Sequence, residues 1–303
     1  MGVVKGTAKA YQWIAAALAI AALLFVYLRP LTVAFAMRDL YLRAIGMRSS
    51  FVRVGPHHIH YFDSGGDGPP LVMVHGVASR AADAAPLYRA LSRTHRVYAL
   101  DLLGYGDSDR PRDSDYSVRT QAAVVRGFMD ALGIAQADLI GVSMGGWVAL
   151  MVAAEEPRRV RSLVLVSSAG VAFPTTLHTS SFSPRNLEEL RASIALQTDR
   201  RIPEFILRDL LRRSRGKAWV VRRSMSSMLT RRDLLDGRLS RVRMPVLLVW
   251  GTRDRIVPVS VAAALQRELP HARLVRLEGC GHLAIIECRA AALQAIRLEL
   301  RRP

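Results

Sequence analysis

The stretch Ala137-Asp-Leu-Ile-Gly141-Val142-Ser143-Met144-Gly145-Gly146 decides the fold of this chain. Its first six residues form a short apolar run of strand length, and Met144 to Glu155 behind it reads as a helix. At the junction, Gly141-Val142-Ser143-Met144-Gly145 is a G-x-S-x-G pattern. A strand that turns at once into a helix is crowded, so small residues flank the serine. Its hydroxyl then projects at the C-terminal edge of the strand. The helix N-terminus beneath it offers free N–H groups to a developing anion.

The same alternation continues on both sides. Phe51–Gly55 and Ile59–Phe62 read as paired strands joined by a turn at Gly55-Pro56. Leu71–Val74, Arg96–Leu100 and Val160–Val166 are further strand candidates. Helical patterns lie near Ala84–Arg93 and Ser117–Leu132. Later come strands at Pro245–Trp250 and Arg273–Leu277, with helices at Ser260–Leu269 and Cys288–Leu300. Strands alternating with helices predict an α/β fold, a mostly parallel sheet flanked by helices. Between Gly170 and Met244 the alternation stops. This Arg-rich segment, broken by Pro174, Pro184 and Pro203, reads as a helical cap with helices near Leu187–Gln197 and Pro203–Arg213. The expected organisation is an N-terminal anchor over 1–50, a catalytic core over 51–170 and 244–303, and a cap over 171–243.

A serine nucleophile needs a base, and the base needs an orienting carboxylate. His282 follows the last strand in Glu278-Gly-Cys280-Gly281-His282. Asp254 follows the preceding strand in Trp250-Gly251-Thr-Arg-Asp254. Ser143, Asp254 and His282 thus fall at three strand ends on one sheet edge. Asp254 as a helix cap and His282 as a surface histidine are the plain alternatives for each residue alone. His75-Gly76-Val77 ends the Leu71–Val74 strand. A glycine there lets the backbone approach a substrate oxygen, so the Val77 and Met144 N–H groups are the expected oxyanion donors. His75 is expected to brace that loop. His57, His58 and His60 invite a metal reading, but no Asp, Glu or Cys pattern completes a site, and no metal is expected. Cys280 reads as a small packed residue. Two cysteines, Cys280 and Cys288, are too few for a disulfide scaffold or a four-cysteine zinc site.

Tyr11–Leu28 is an apolar run with one polar member, Gln12. As a helix it spans ~27 Å, close to the hydrocarbon thickness of a bilayer. Lys5 and Lys9 precede it, Arg29-Pro30 ends it, and Trp13 and Tyr27 sit near its ends. A retained transmembrane anchor is expected. A cleaved signal peptide with Ala34-Phe-Ala36 as its site competes, as does a buried core helix. Arg29, Arg38, Arg43, Arg48 and Arg53 after the span lean the catalytic domain toward the cytoplasm of a bacterial inner membrane. Leu31–Met47 is either an interfacial amphipathic helix or one packed on the domain.

Forty-three Lys plus Arg against 25 Asp plus Glu give a net charge of +18. Residues 185–243 hold 16 basic and seven acidic residues, and residues 1–55 seven basic and one acidic. A basic surface attracts nucleic acid or anionic lipid alike. No zinc finger, aromatic RNP strand or Gly-rich phosphate loop accompanies it, so a nucleic-acid partner is not expected. Phe182, Phe205, Ile206, Leu207, Trp219 and Met225 of the cap are candidates for an acyl tunnel, or for plain packing of the cap on the sheet.

Residues 51–303 resemble the α/β-hydrolases. The resemblance rests on His75-Gly76, Asp101-Leu-Leu-Gly104-Tyr-Gly106-Asp-Ser108, Gly141-Val-Ser-Met-Gly145, Gly251-Thr-Arg-Asp254 and Gly281-His282. The apolar N-terminus, the Ser-Met-Gly elbow, the moderate cap with Pro203-Glu-Phe-Ile-Leu, and the Cys-Gly-His loop are similar to membrane-anchored monoacylglycerol lipases and related bacterial lipases. The resemblance implies cofactor-free hydrolysis of carboxylic esters by a serine esterase or lipase through an acyl-enzyme. Carbon–carbon bond hydrolases acting on vinylogous diketones keep the same three residues and are the enzyme alternative. Haloalkane dehalogenases and many epoxide hydrolases place Asp at the elbow, and cofactor-free haloperoxidases usually carry an aromatic residue where Val77 stands. A non-enzymatic membrane-bound scaffold predicts a broken triad, and this one is complete.

Overall fold

The computed structural model describes residues 2–301, with residues 2–12 described by their helical backbone alone. In chain order the strands are β1 (Arg48–Val54), β2 (His57–Asp63), β3 (Pro70–Val74), β4 (Arg96–Leu100), β5 (Ala137–Val142), β6 (Val160–Val166), β7 (Val246–Gly251) and β8 (Arg273–Leu277). They form one sheet in the order β1-β2-β4-β3-β5-β6-β7-β8. The β1–β2 and β2–β4 pairs are antiparallel, and every other pair is parallel. The central strands are buried on both faces over most of their length, so apolar residues fill them without alternation, with Asp138, Arg161 and Ser162 confined to the first residues of β5 and β6.

The helices are α1 (Gly2–Leu28), α2 (Pro30–Ala44), α3 (Ala85–Leu91), α4 (Val118–Ala131), α5 (Met144–Glu155), α6 (Leu187–Gln197), α7 (Glu204–Ser214), α8 (Ala218–Leu229), α9 (Val259–Glu268), α10 (Ala284–Glu287) and α11 (Arg289–Glu299). Two apolar layers cover the sheet. Side chains of α4, α5 and α9 fill one, and those of α3 and α11 fill the other. In α5 every residue from Met144 to Ala154 is buried. Its apolar composition on all sides follows from that burial.

The cap helices α6, α7 and α8 lie between β6 and β7. Leu190, Leu207 and Leu211 give α6 and α7 their own small core. Helix α8, which the sequence pattern does not announce, carries Arg222, Arg223 and three serines. These interrupt an apolar face that buries Val220, Val221 and Met225 on the main core.

The single transmembrane helix expected over Tyr11–Leu28 needs correction. Among the described residues no single helix is long and apolar enough to cross a membrane. Trp13–Leu28 and Pro30–Ala44 meet that test only together, and they are bent by 91°. Lys5, Lys9, Tyr11 and Gln12 lie outside the residues whose side chains are described. The bend has a local cause. Pro30 lacks an N–H and crowds the residue before it, so Arg29 leaves the helical region at φ −134° and ψ 47°. Pro30 then starts α2, where a missing N–H costs nothing.

Helix α2 packs on the cap and on the turn at Ala81–Ala84, burying Leu42. Its other face leaves Met37 and Leu40 about three-fifths exposed. Residues Trp13 to Leu28 of α1 are exposed throughout.

Candidate active site

Ser143 sits in the bend between β5 and α5 at φ 56° and ψ −120°. This is the left-handed region, costly for a residue with a side chain, by about 1–3 kcal/mol. The surrounding packing holds it there. A Cβ on Gly145 would overlap the carbonyl oxygens of Val74 and His75, so only glycine lets α5 come this close to β3. Gly141, at the end of β5, is equally tight against Gly145 and Gly146.

Three strand ends bring the polar groups together. His282 Nε2 lies 3.0 Å from Ser143 Oγ, and His282 Nδ1 lies 2.8 Å from Asp254 Oδ2. The other carboxylate oxygen of Asp254 accepts the backbone N–H groups of Ile256 and Val257, each at 2.9 Å. All three side chains are buried. The carboxylate is therefore held from two sides and presents one oxygen to the imidazole. Asp254 on Nδ1 leaves the Nε2 lone pair facing the serine.

Behind Ser143 runs the loop His75–Arg80. Gly76 passes so close that a Cβ would stand 3.2 Å from both Ser143 Cβ and the Val142 carbonyl. Ala78 takes a left-handed turn at φ 58°. Met144 is the first residue of α5, so its N–H has no partner within the helix. Among the described residues neither Val77 nor Met144 gives its N–H to a backbone carbonyl in the surrounding turns. His75 braces the loop. Its Nε2 accepts the Leu102 N–H at 3.0 Å, so Nδ1 carries the proton and donates to the Gly76 carbonyl at 2.8 Å. Burial pushes its pKa below the ordinary histidine value, which keeps this tautomer neutral.

The three histidines considered for a metal do not gather. His58 is exposed beside Asp109, 3.4 Å away, while His60 is buried. His60 uses both ring nitrogens, Nδ1 on Asp101 Oδ2 at 2.7 Å and Nε2 on Ser49 Oγ at 2.8 Å. His60, Asp101 and Asp107 are close enough to hold an ion by distance alone. Yet Asp101 is already engaged by His60 and by the N–H groups of Ala81 and Asp107. Burial would raise this carboxyl group's pKa, but those hydrogen bonds hold it down to about 2.

A cavity of about 820 Å³ opens from Ser143 and His282. Its walls are mostly apolar and include Leu190, Ile194 and Ile202 of the cap. Of the six cap residues proposed for an acyl tunnel, Phe182 alone is in this wall. Phe205 stacks on Tyr27 at 5.2 Å, Leu207 fills the cap's own core, and Trp219 packs edge-on to Tyr116 at 5.8 Å. Met225 is in the main core. Part of the wall comes instead from α2, through Phe35, Met37, Arg38 and Tyr41. No motif in Pro30–Ala44 marks it as part of a site; its mixed apolar and basic pattern was the one available signal.

Cys280 is not a free packed thiol. It is bonded to Cys288 with a Cα separation of 6.3 Å. The bridge brackets the loop that carries His282. That loop is also tied to the end of α6, because Gln197 O accepts the His282 N–H at 3.1 Å. Glu287 accepts the Gly281 N–H at 2.6 Å and the Thr198 hydroxyl.

Residues 69–287 match the α/β hydrolase fold family. The chain belongs to that family. This hydrolase is 34% identical over 238 residues to a 2-hydroxymuconate semialdehyde hydrolase of Pseudomonas putida, covering 73% of this chain and 83% of the relative. Among solved structures it is similar to a bacterial membrane phospholipase A, with 28% identity, a TM-score of 0.82, and coverage of 96% of this chain and 97% of the other. It is also similar to 2-hydroxy-6-oxo-6-phenylhexa-2,4-dienoate hydrolase from Rhodococcus sp. strain RHA1, with 26% identity, a TM-score of 0.74, and coverage of 84% and 99%. A match over 96% of the hydrolase has to include most of α1 and α2, whereas one over 84% need not.

Proposed function

We propose that this hydrolase is a serine esterase that cleaves a carboxylic ester in an amphiphilic lipid at a membrane surface. The observation that carries this reading is the continuity of one apolar cavity from Ser143 and His282 to α2, the helix next to the exposed apolar stretch Trp13–Leu28 of α1. A cavity of about 820 Å³ is ample for an acyl chain and lies toward the large end for a small polar substrate.

In this mechanism Ser143 Oγ attacks the ester carbonyl while His282 Nε2 takes the hydroxyl proton. Asp254 fixes the imidazole and stabilises the imidazolium. The carbonyl electron pair moves onto oxygen, where the Val77 and Met144 N–H groups donate to it. Collapse of the tetrahedral intermediate expels the alcohol, which receives the proton from His282. Water, activated by the same nitrogen, then releases the acid and regenerates the serine. His75, Gly76, Gly141 and Gly145 hold this geometry, and no cofactor takes part in these steps.

The bent pair α1–α2 serves as the membrane element. Apart from the stacking of Phe205 on Tyr27, the side chains of Trp13–Leu28 present an apolar surface largely open to solvent, and such a patch is costly in water. Helix α2 lies at the interface with Met37 and Leu40 outward. The Cys280–Cys288 bridge favours an oxidising compartment, against the cytoplasmic lean of the arginine count.

Hydrolysis of a carbon–carbon bond is the second reading. The 34% identity to the semialdehyde hydrolase favours it. Presenting a long-chain ester and a vinylogous diketone to the same preparation separates the two. Turnover of the ester with none of the diketone supports the esterase; the reverse overturns it. Flotation with liposomes tests the membrane element: removal of residues 1–46 is expected to abolish co-flotation, and retained binding contradicts it.

A further inference from the structure

Phe35 sits in the cavity wall with three guanidinium groups around its ring. The central carbons of Arg80, Arg38 and Arg213 lie 4.3, 4.7 and 5.1 Å from the ring centroid. They come from three separate parts of the chain: the loop behind Ser143, helix α2 and cap helix α7. Cation–aromatic attraction explains one such contact. It does not explain three like charges converging on one ring. The neighbouring acids divide unevenly among them. Asp209 is shared by Arg212 and Arg213, and it also accepts the Leu31 N–H. Arg38 contacts Asp39 at 2.9 Å, while Asp83 stands 3.4 Å from Arg38 and 3.8 Å from Arg80. Arg80 Nη2 is buried and has no hydrogen-bond partner. Lys217 reaches the same region; burial, with Arg110 and Arg80 beside it, pushes its ammonium below the usual lysine value. The cluster is therefore short of negative charge, and it holds a donor without an acceptor.

We infer that the Arg38–Arg80–Arg213 cluster around Phe35 receives the phosphate of an anionic lipid headgroup while the acyl ester lies at Ser143. Arg38 and Arg80 both line the cavity that contains Ser143, so one molecule meets both sites. A phosphate offers several acceptor oxygens, and planar guanidinium groups match them with paired donors. Arg80 follows Val77 by three residues, which places the anion next to the oxyanion loop. That suits a lipid in which a few bonds separate the ester from the charge. The apolar α2 beside it would keep the acyl part out of water. The assignment rests on the esterase reading for the ester, but the binding site itself is testable without turnover.

The experiment uses full-length Ser143→Ala protein in neutral detergent and three probes: dodecyl phosphate, dodecanol and inorganic phosphate. Calorimetric titration is expected to show dodecyl phosphate binding at least tenfold more tightly than dodecanol and at least a hundredfold more tightly than inorganic phosphate. Arg80→Gln and Arg38→Gln should each reduce the first ratio several-fold. Equal affinity for dodecyl phosphate and dodecanol in the protein with an intact cluster overturns the inference, whether or not the arginine variants fold. Inorganic phosphate binding as tightly as the alkyl phosphate overturns the headgroup assignment. Ester hydrolysis by the wild-type chain is measured separately. Its absence counts against the esterase reading, while the binding ratios decide the anion site.

Discussion

The carboxylate of Asp209, on cap helix α7, accepts the backbone N–H of Leu31 at 2.9 Å, across 178 residues of sequence. Leu31 is in the first turn of α2, where N–H groups have no helical partner. A buried acid thus caps the N-terminal helix pair and pins it to the cap. Arg212 adds a bond to the Leu28 carbonyl at 2.9 Å, and Arg213 reaches Thr32 Oγ1. Asp209→Ala is expected to cost about 2 kcal/mol, because a half-buried N–H loses its acceptor and two arginines lose their counter-ion. Hydrogen exchange at Leu31 should accelerate at least tenfold while amides in β5 stay protected. Unchanged protection at Leu31 would show that other contacts hold the pair.

Asp254 fixes the orientation of His282 through Nδ1. Asp254→Asn keeps the size but favours the wrong imidazole tautomer, so kcat for ester hydrolysis is expected to fall about 10⁴-fold. Thermal melting should change little, since the amide oxygen still accepts from Ile256 and Val257. A loss of kcat under tenfold would show that Asp254 does not fix the imidazole for catalysis.

Gly76→Ala tests the close approach behind the nucleophile. The added Cβ would stand 3.2 Å from Ser143 Cβ and from the Val142 carbonyl, so the loop must shift by a few tenths of an ångström. Displacing Val77 by that amount is expected to lower kcat about 10²-fold, with KM changed far less. A variant with wild-type kcat would place the oxyanion donors elsewhere.

Asp101 makes a pH-dependent contribution. Its folded pKa of about 2 lies below the unfolded value of 3.8. Its stabilising effect is therefore complete above about pH 5 and is lost progressively as the pH falls through 3.8 to 2 and below. The difference corresponds to about 2 kcal/mol. Urea denaturation between pH 5 and pH 2 should show this increment in the wild type and lack it in Asp101→Asn. Identical slopes for the two proteins would contradict it.

The Cys280–Cys288 bridge closes a short loop around His282. Reduction is expected to lower stability by about 2–3 kcal/mol, from the entropy that so small a closed loop removes from the unfolded chain. Because His282 moves with the loop, ester hydrolysis should fall several-fold on reduction and recover on reoxidation. Two thiols titrating freely in the native protein would show that the bridge does not form.

The core was legible because its signals are local. G-x-S-x-G at a strand–helix junction and apolar runs of strand length need no knowledge of distant residues. The same holds for the turns that place Asp254 and His282 after β7 and β8. What was not legible depends on meetings across the chain. Phe205 reads equally as tunnel lining or as cap packing, and its stacking partner Tyr27 comes from α1, far away in sequence. Cys280 and Cys288 are eight residues apart, a spacing compatible with bonded or separate thiols. Arg29-Pro30 signals a helix break, but not the 91° turn that lays α2 along the cap.

A serine esterase must lose ester hydrolysis when Ser143 is removed. The measurement is kcat/KM for p-nitrophenyl esters from C2 to C16, with wild-type and Ser143→Ala protein side by side. Activity is expected to rise toward medium or long chains and to drop at least 10⁴-fold in the variant. Activity that Ser143→Ala retains, or a well-folded wild type that hydrolyses none of the esters, would contradict the esterase reading.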